Sequence, residues 1–166
     1  ALDDGGEPEL FTISEVPVAL AVIVGLGAIY RIRDNRRAFF AVHALMGTGA
    51  ATIALSTLAF DAGWIGPLPW MMATGVGLYL AYVPYGTVLF ERLIAATGAV
   101  GTAVFMIYLT DAFGYLGAIT VLLVKNFGHA DASWLDFFRA CSYGCGVAGV
   151  AAFGASAWYF RSKTRP

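Results

Sequence analysis

Charge is what this chain has least of. In 166 residues there are 10 Lys and Arg and 11 Asp and Glu, 13% charged in all, against roughly a quarter in ordinary soluble domains. That balance leaves a formal net charge of −1, so nothing in the overall charge points to nucleic acid. Cysteine is nearly absent as well. Cys141 and Cys145 are the two present, one helical turn apart, a spacing that suits packing and offers no disulfide framework. No His or carboxylate lies within a turn of them, which argues against a metal pair. There is no sustained alternation of apolar and polar residues, and that argues against a transmembrane barrel. HExxH, GxSxG and the phosphate-binding P-loop are all missing, and the two His stand far apart at 43 and 129. An enzyme is therefore disfavoured, and nothing in the chain calls for a cofactor or a metal.

What remains is oil. The chain is 59% hydrophobic, with a mean hydropathy of +0.73. Five stretches are poor in charge: Val16–Tyr30, Ala38–Phe60, Ala62–Phe90, Leu93–Val124 and Ala140–Phe160. Crossing the hydrocarbon core takes about 20 apolar residues as a helix. Lipid leaves backbone groups no partner but one another, so the helix is the structure that fits. A soluble bundle would need a polar face on each helix, and "AVIVGLGAI" and "GVAGVAAFGASAW" have none. The reading is an all-α membrane protein with five transmembrane helices, at about 12–31, 38–60, 68–90, 100–125 and 134–160. Residues 1–10 form an acidic mobile tail and 162–166 a short basic one.

Local signals refine the ends. Thr12 with Glu15 fits a capping box opening the first span, with Ser14 as the alternative cap ahead of Pro17. Ser133 with Asp136 fits a second box opening the fifth. Pro67, Pro69 and Trp70 open the third span, Pro84 should kink it, and "FERLIAATG" reads as an interfacial connection after it. Positive charges then fix a side. Arg31, Arg33, Arg36 and Arg37 share one side with Arg92, Arg161, Lys163 and Arg165, while the other has Lys125 and Arg139. By the positive-inside rule the N-terminus is outside and the C-terminus in the cytoplasm of a bacterial inner membrane. The chain opens on Ala and shows no signal peptide, so the expectation is a C-terminal part of a longer protein whose N-terminal half is a partner, with a cleaved signal peptide as the alternative.

Asp111 is the sharpest candidate for chemistry. It stands amid "IYLTDAFGYLGAITVLLV", near mid-depth of the fourth span, where a carboxylate costs about 2.5 kcal/mol or more. Such a group must face protein or water. Tyr108 and Tyr115 lie three and four residues away on its helix face. Either Asp111 binds a proton or a small-molecule substrate in a central cavity, or it locks the bundle through Tyr hydroxyls. Tyr82 and Tyr85 flank Pro84 in the third span and join the candidate path. Glu91 and Arg92 at its end suit a gate or charge clamp. His43 reads as an interhelical hydrogen-bonder, Thr48, Thr52 and Ser56 as a helix-contact stripe, and Arg139 as a partner of Asp136.

"YVPYGTVLFERLIAATG", "FMIYLTDAFGYLG" and "LLVKNFG", with "FTISEVPVA" and "RIRDNRRA", resemble an uncharacterised bacterial membrane-protein family that looks like a divergent branch of the major facilitator superfamily. The resemblance implies the last five helices of a twelve-helix transporter. The third and fourth spans would then be its tenth and eleventh helices, beside the central cavity. "RIRDNRR" would fall in a basic cytoplasmic loop, without the glycine-led form of that superfamily's motif. The function so implied is secondary transport by alternating access, with the substrate open. The alternative is a non-transporting membrane scaffold or sensor that keeps the fold.

Overall fold

A computed structural model describes residues 7–128 and 133–164, with side chains from residue 15 onward. The described residues are helical throughout apart from short turns. Helix α1 runs Glu7–Tyr30, α2 Asn35–Asp61, α3 Pro67–Pro84, α4 Phe90–Thr97, α5 Ala103–Leu123 and α6 Trp134–Phe160. Two wide π-helical turns, Tyr85–Leu89 and Val124–Gly128, continue α3 into α4 and extend α5. Among the described residues four helices are long and apolar enough to cross a membrane: Asn35–Asp61, Pro67–Thr97, Ala103–Gly128 and Trp134–Phe160. The described apolar part of α1, Glu15–Tyr30, is shorter.

Side chains set most of the starts. Asp34 accepts from Arg37 N at 2.7 Å to open α2, and Thr102 accepts from Phe105 N at 3.3 Å to open α5. Ser133 accepts from Asp136 N at 3.0 Å and donates its hydroxyl to Asp136 Oδ2 at 2.7 Å, so Ser133 is the N-cap as expected, with the carboxylate of the box on its hydroxyl. The box expected at Thr12 does not. Helix α1 begins at Glu7, so residues 7–10 are helix rather than tail, and Pro17 lies inside the helix. Residues 1–6 and 129–132 lie outside the described ones, as does Arg165. "FERLIAATG" is likewise helix: α4 carries the third span to Thr97, where Gly98 at φ 68° ends it. Only a residue without Cβ takes that left-handed turn cheaply.

Helix α2 is the centre, with α3 on one side and α6 on the other, and α1 lies mainly on α3. The contact with α3 is backbone on backbone. A Cβ added to Gly49 would sit 2.7 Å from Ala81 N and Gly77 O, and one on Gly77 would sit 2.7 Å from Gly49 O. On the other side, Gly146 and Gly149 lie against Ala50 and Ala54. Small residues thus let three helices approach closely, which is how helices associate when the solvent is as apolar as their side chains. Ile29, Val42, Met46 and Val88 form the buried cluster, with Tyr85 and Phe153 against it. Trp70 stacks on Phe60 at 4.3 Å and donates its indole N–H to Thr57 at 3.1 Å.

Polar contacts pin α2 to α6 along their length. At one end Arg139 Nε meets Asp61 Oδ1 at 2.7 Å, and the Tyr143 hydroxyl donates to Asp61 Oδ2 at 2.9 Å. Further along, His43 Nε2 pairs with the Ser156 hydroxyl at 2.9 Å, the interhelical bond expected of it. At the other end Arg36 donates to Arg161 O at 3.3 Å and to Thr164 Oγ1 at 3.1 Å, just past the end of α6. Helix α5 is different in kind: none of its residues is buried.

Candidate functional site

Pro84 determines the local geometry. It has no N–H to give and its ring presses on the carbonyl a turn earlier, so the α ladder cannot pass through it. The chain answers with the π turn Tyr85–Leu89 directly after it. Such turns occur often at functional sites. Here the turn places Tyr85 toward α5, and its hydroxyl donates to Asp111 Oδ1. Asp111 is the ninth of the 21 residues of α5, about 12 Å along the axis from Ala103. Tyr82 packs edge-on against Tyr85 with ring centroids 4.9 Å apart, and Phe90 closes the other side at 6.1 Å. Three of the five candidates therefore meet: a carboxylate, the phenol bonded to it and a second ring behind.

Tyr108 and Tyr115 do not join them. They share a helical face with Asp111, yet they are 72% and 73% exposed. Asp111 itself is half-buried. The cluster is thus a one-sided site, walled by the third span and open around α5. A carboxylate so placed can hold a proton or a cationic group, with the phenol supplying a donor while the carboxylate is ionised.

Among the described residues Glu91 and Arg92 form no ion pair with each other. Glu91 is exposed on α4, while Arg92 Nη1 reaches Asn35 Oδ1 at 2.6 Å and ties α4 to the start of α2. Of the hydroxyl stripe, Ser56 bridges to Thr74 of α3 at 3.3 Å. Thr48 and Thr52 bond carbonyls of their own helix. Cys141 and Cys145 are free thiols. Among the described residues no group of three or more His, Cys, Asp and Glu is placed to hold a metal.

Two polar contacts went unread in the sequence. Arg139 does pair with Asp136, at 3.2 Å, but its shorter contact is with Asp61 on α2. The signal was available: opposite charges at the same ends of two spans, on the side where cations are scarce. Lys125, on the second π turn, is buried over the rings of Trp134 and Phe137, at 4.8 and 5.9 Å from their centroids. That contact joins the end of α5 to the start of α6.

These features define a class, an all-helical protein with membrane-length apolar helices and a carboxylate–phenol pair between two of them. The chain belongs to DUF5690, a family of unknown function, whose sequence profile matches residues 1–163. No curated protein and no solved structure matches it.

Proposed function

We propose that this chain is an integral protein of the bacterial cytoplasmic membrane, N-terminus outside and C-terminus inside, that works as part of a secondary transporter. The observation that carries the reading is the bond from Tyr85 to Asp111. It joins a mid-span carboxylate to the one place where the third span leaves its α-helical path. Acids inside a span mark proton or substrate routes more often than they serve as props. Discontinuous helices line such routes because their loosened backbone can bind and move. Asp111 is the proton- or substrate-binding carboxylate, Tyr85 its donor, and Tyr82 the wall. Tyr108 and Tyr115 face the space that further helices of a larger transporter would fill, in keeping with the resemblance to the major facilitator superfamily.

The orientation rests on the cations. Arg36 bonds Arg161 and Thr164, and Arg92 bonds Asn35, so the basic segments meet at one end of the molecule. The positive-inside rule puts that end in the cytoplasm.

The test is reconstitution of the full chain into vesicles holding a pH-sensitive dye, with a panel of solutes added with and without an imposed pH gradient. Solute-dependent proton movement that Asp111→Asn abolishes supports the proposal. Movement that survives in Asp111→Asn removes Asp111 from the path.

A scaffold or sensor is the second reading, and one observation favours it. The contacts through Asp61, His43 and Arg36 fasten α2 to α6 near both ends and between, a pair built to stay put. In that case no solute moves protons, Asp111→Asn changes nothing in the vesicles, and a protein partner co-purifies.

A further inference from the structure

The basic end of the molecule carries three cavities that share walls. The first, about 450 Å³, is lined by Asp34, Arg36, Arg37, Phe40 and Arg161. The second, about 470 Å³, keeps Arg36 and Arg161 and adds Trp158, Tyr159 and Lys163. The third, about 500 Å³, keeps Tyr159 and Lys163 and is otherwise mostly apolar, with Leu93, Ile94, Phe105 and Met106 in its walls. Read in that order, the surface passes from guanidinium through ammonium and indole to aliphatic groove without a break.

We infer that this surface is a binding site for one anionic phospholipid, its phosphate among Arg36, Arg37, Arg161 and Lys163 and an acyl chain in the groove between the end of α4, the start of α5 and the end of α6. Charge supports the head position. Four cations face one carboxylate, and Asp34 is already engaged in capping α2. Arg36 spends two of its five N–H donors on Arg161 O and Thr164, which fixes its plane and leaves donors over. Guanidinium groups suit phosphate because their fork matches its oxygens. The aromatic residues mark the depth: Trp158 is 79% and Tyr159 55% exposed, at the level where such rings sit among headgroups. The apolar groove separates a lipid from a free anion, since a soluble phosphate has no use for Leu93 or Met106. Basic pockets between helix ends on the cytoplasmic side are a recurrent form of headgroup recognition. The inference needs the membrane placement proposed above and does not need transport.

The experiment is native mass spectrometry of the full chain released from detergent, titrated with dioleoyl phosphatidylglycerol and, in parallel, dioleoyl phosphatidylcholine. Retention of the anionic lipid in preference to the zwitterionic one is expected. Arg161→Gln and Lys163→Gln should each lower that preference about fivefold, and the charge-keeping pair Arg161→Lys with Lys163→Arg should retain it. Both side chains are exposed, so the fold should persist, as helical circular dichroism would verify. Equal retention of the two lipids, or a preference untouched by the double Gln variant, overturns the inference. Dihexanoyl phosphatidylglycerol held as tightly as the long-chain lipid would show the groove unused and overturn it too. So would inorganic phosphate displacing the long-chain lipid, which would make this a soluble-anion site. A chain that retains phosphatidylglycerol and moves no protons keeps this inference and loses the transport reading.

Discussion

Gly49 and Gly77 show how much a single missing carbon can hold. Each lies where a Cβ would stand 2.7 Å from backbone of the other helix, and backbone cannot step aside as a flexible side chain can. Gly49→Ala and Gly77→Ala should each cost about 1–3 kcal/mol, the usual penalty for overpacking. Gly47→Ala and Gly114→Ala are the controls, because a Cβ there meets nothing within 4 Å. Thermal unfolding in detergent, followed by circular dichroism, should separate the two pairs. Asp111 offers a second test at this scale. Tyr85→Phe keeps the ring against Tyr82 and Phe90 and removes only the hydroxyl that serves the carboxylate. Asp111 should then react faster with dicyclohexylcarbodiimide, an apolar reagent that modifies membrane carboxyl groups, and an unchanged rate would show the bond to be idle. The candidates themselves were legible in the sequence because a lone acid among apolar residues announces itself. Which tyrosines would meet it was not. Tyr108 and Tyr115 share its helix face, yet the partner comes from another helix, and periodicity along one helix says nothing about its neighbours.

At the scale of elements, the spans were readable and their ends less so. Apolar length marks the stretch that has to be in lipid, whereas a helix can continue past it. Glu91 and Arg92 look like a boundary for that reason, and α4 nonetheless runs on to Thr97. The same holds for α1, where Thr12 and Glu15 form a credible start inside a helix that begins at Glu7. Ser133 was readable because its spacing to Asp136 fits a helix start directly ahead of the apolar run. The π turn after Pro84 has its own test. Pro84→Ala restores an N–H and removes the ring, so the third span should return to a regular α ladder. Its thermal stability should not fall, since Pro inside a helix costs about 3 kcal/mol relative to Ala. Asp111 should nevertheless become more reactive to carbodiimide, because Tyr85 will have rotated away. Between α2 and α6, Ser156→Ala leaves buried His43 Nε2 without its hydroxyl partner. A loss of about 1 kcal/mol in the same unfolding assay is expected.

For the whole molecule, the surface is the telling feature. Val24, Phe113, Leu122 and many other large apolar side chains stand exposed, far beyond what a protein in water displays. The chain should therefore remain dispersed only in detergent or lipid, and analytical ultracentrifugation after detergent removal should find aggregates. Sidedness can be read in spheroplasts and inverted vesicles. With Cys141 and Cys145 replaced by Ala, an impermeant maleimide should label Trp64→Cys from the periplasmic side and Lys163→Cys from the cytoplasmic side. The opposite pattern would reverse the topology.

A π turn stores one residue more than the α turn it replaces. Pro84 sets that surplus at Tyr85–Leu89, and a change of conformation that carried it along the span would act on every residue it passed. Each such residue would be turned by about 100° and advanced by about 1.5 Å, the step of one residue in an α-helix. Migration past Tyr85 would swing the phenol off the acid without unfolding a helix or shifting a span bodily. Such a shift would make the third span a crank with Asp111 within its throw.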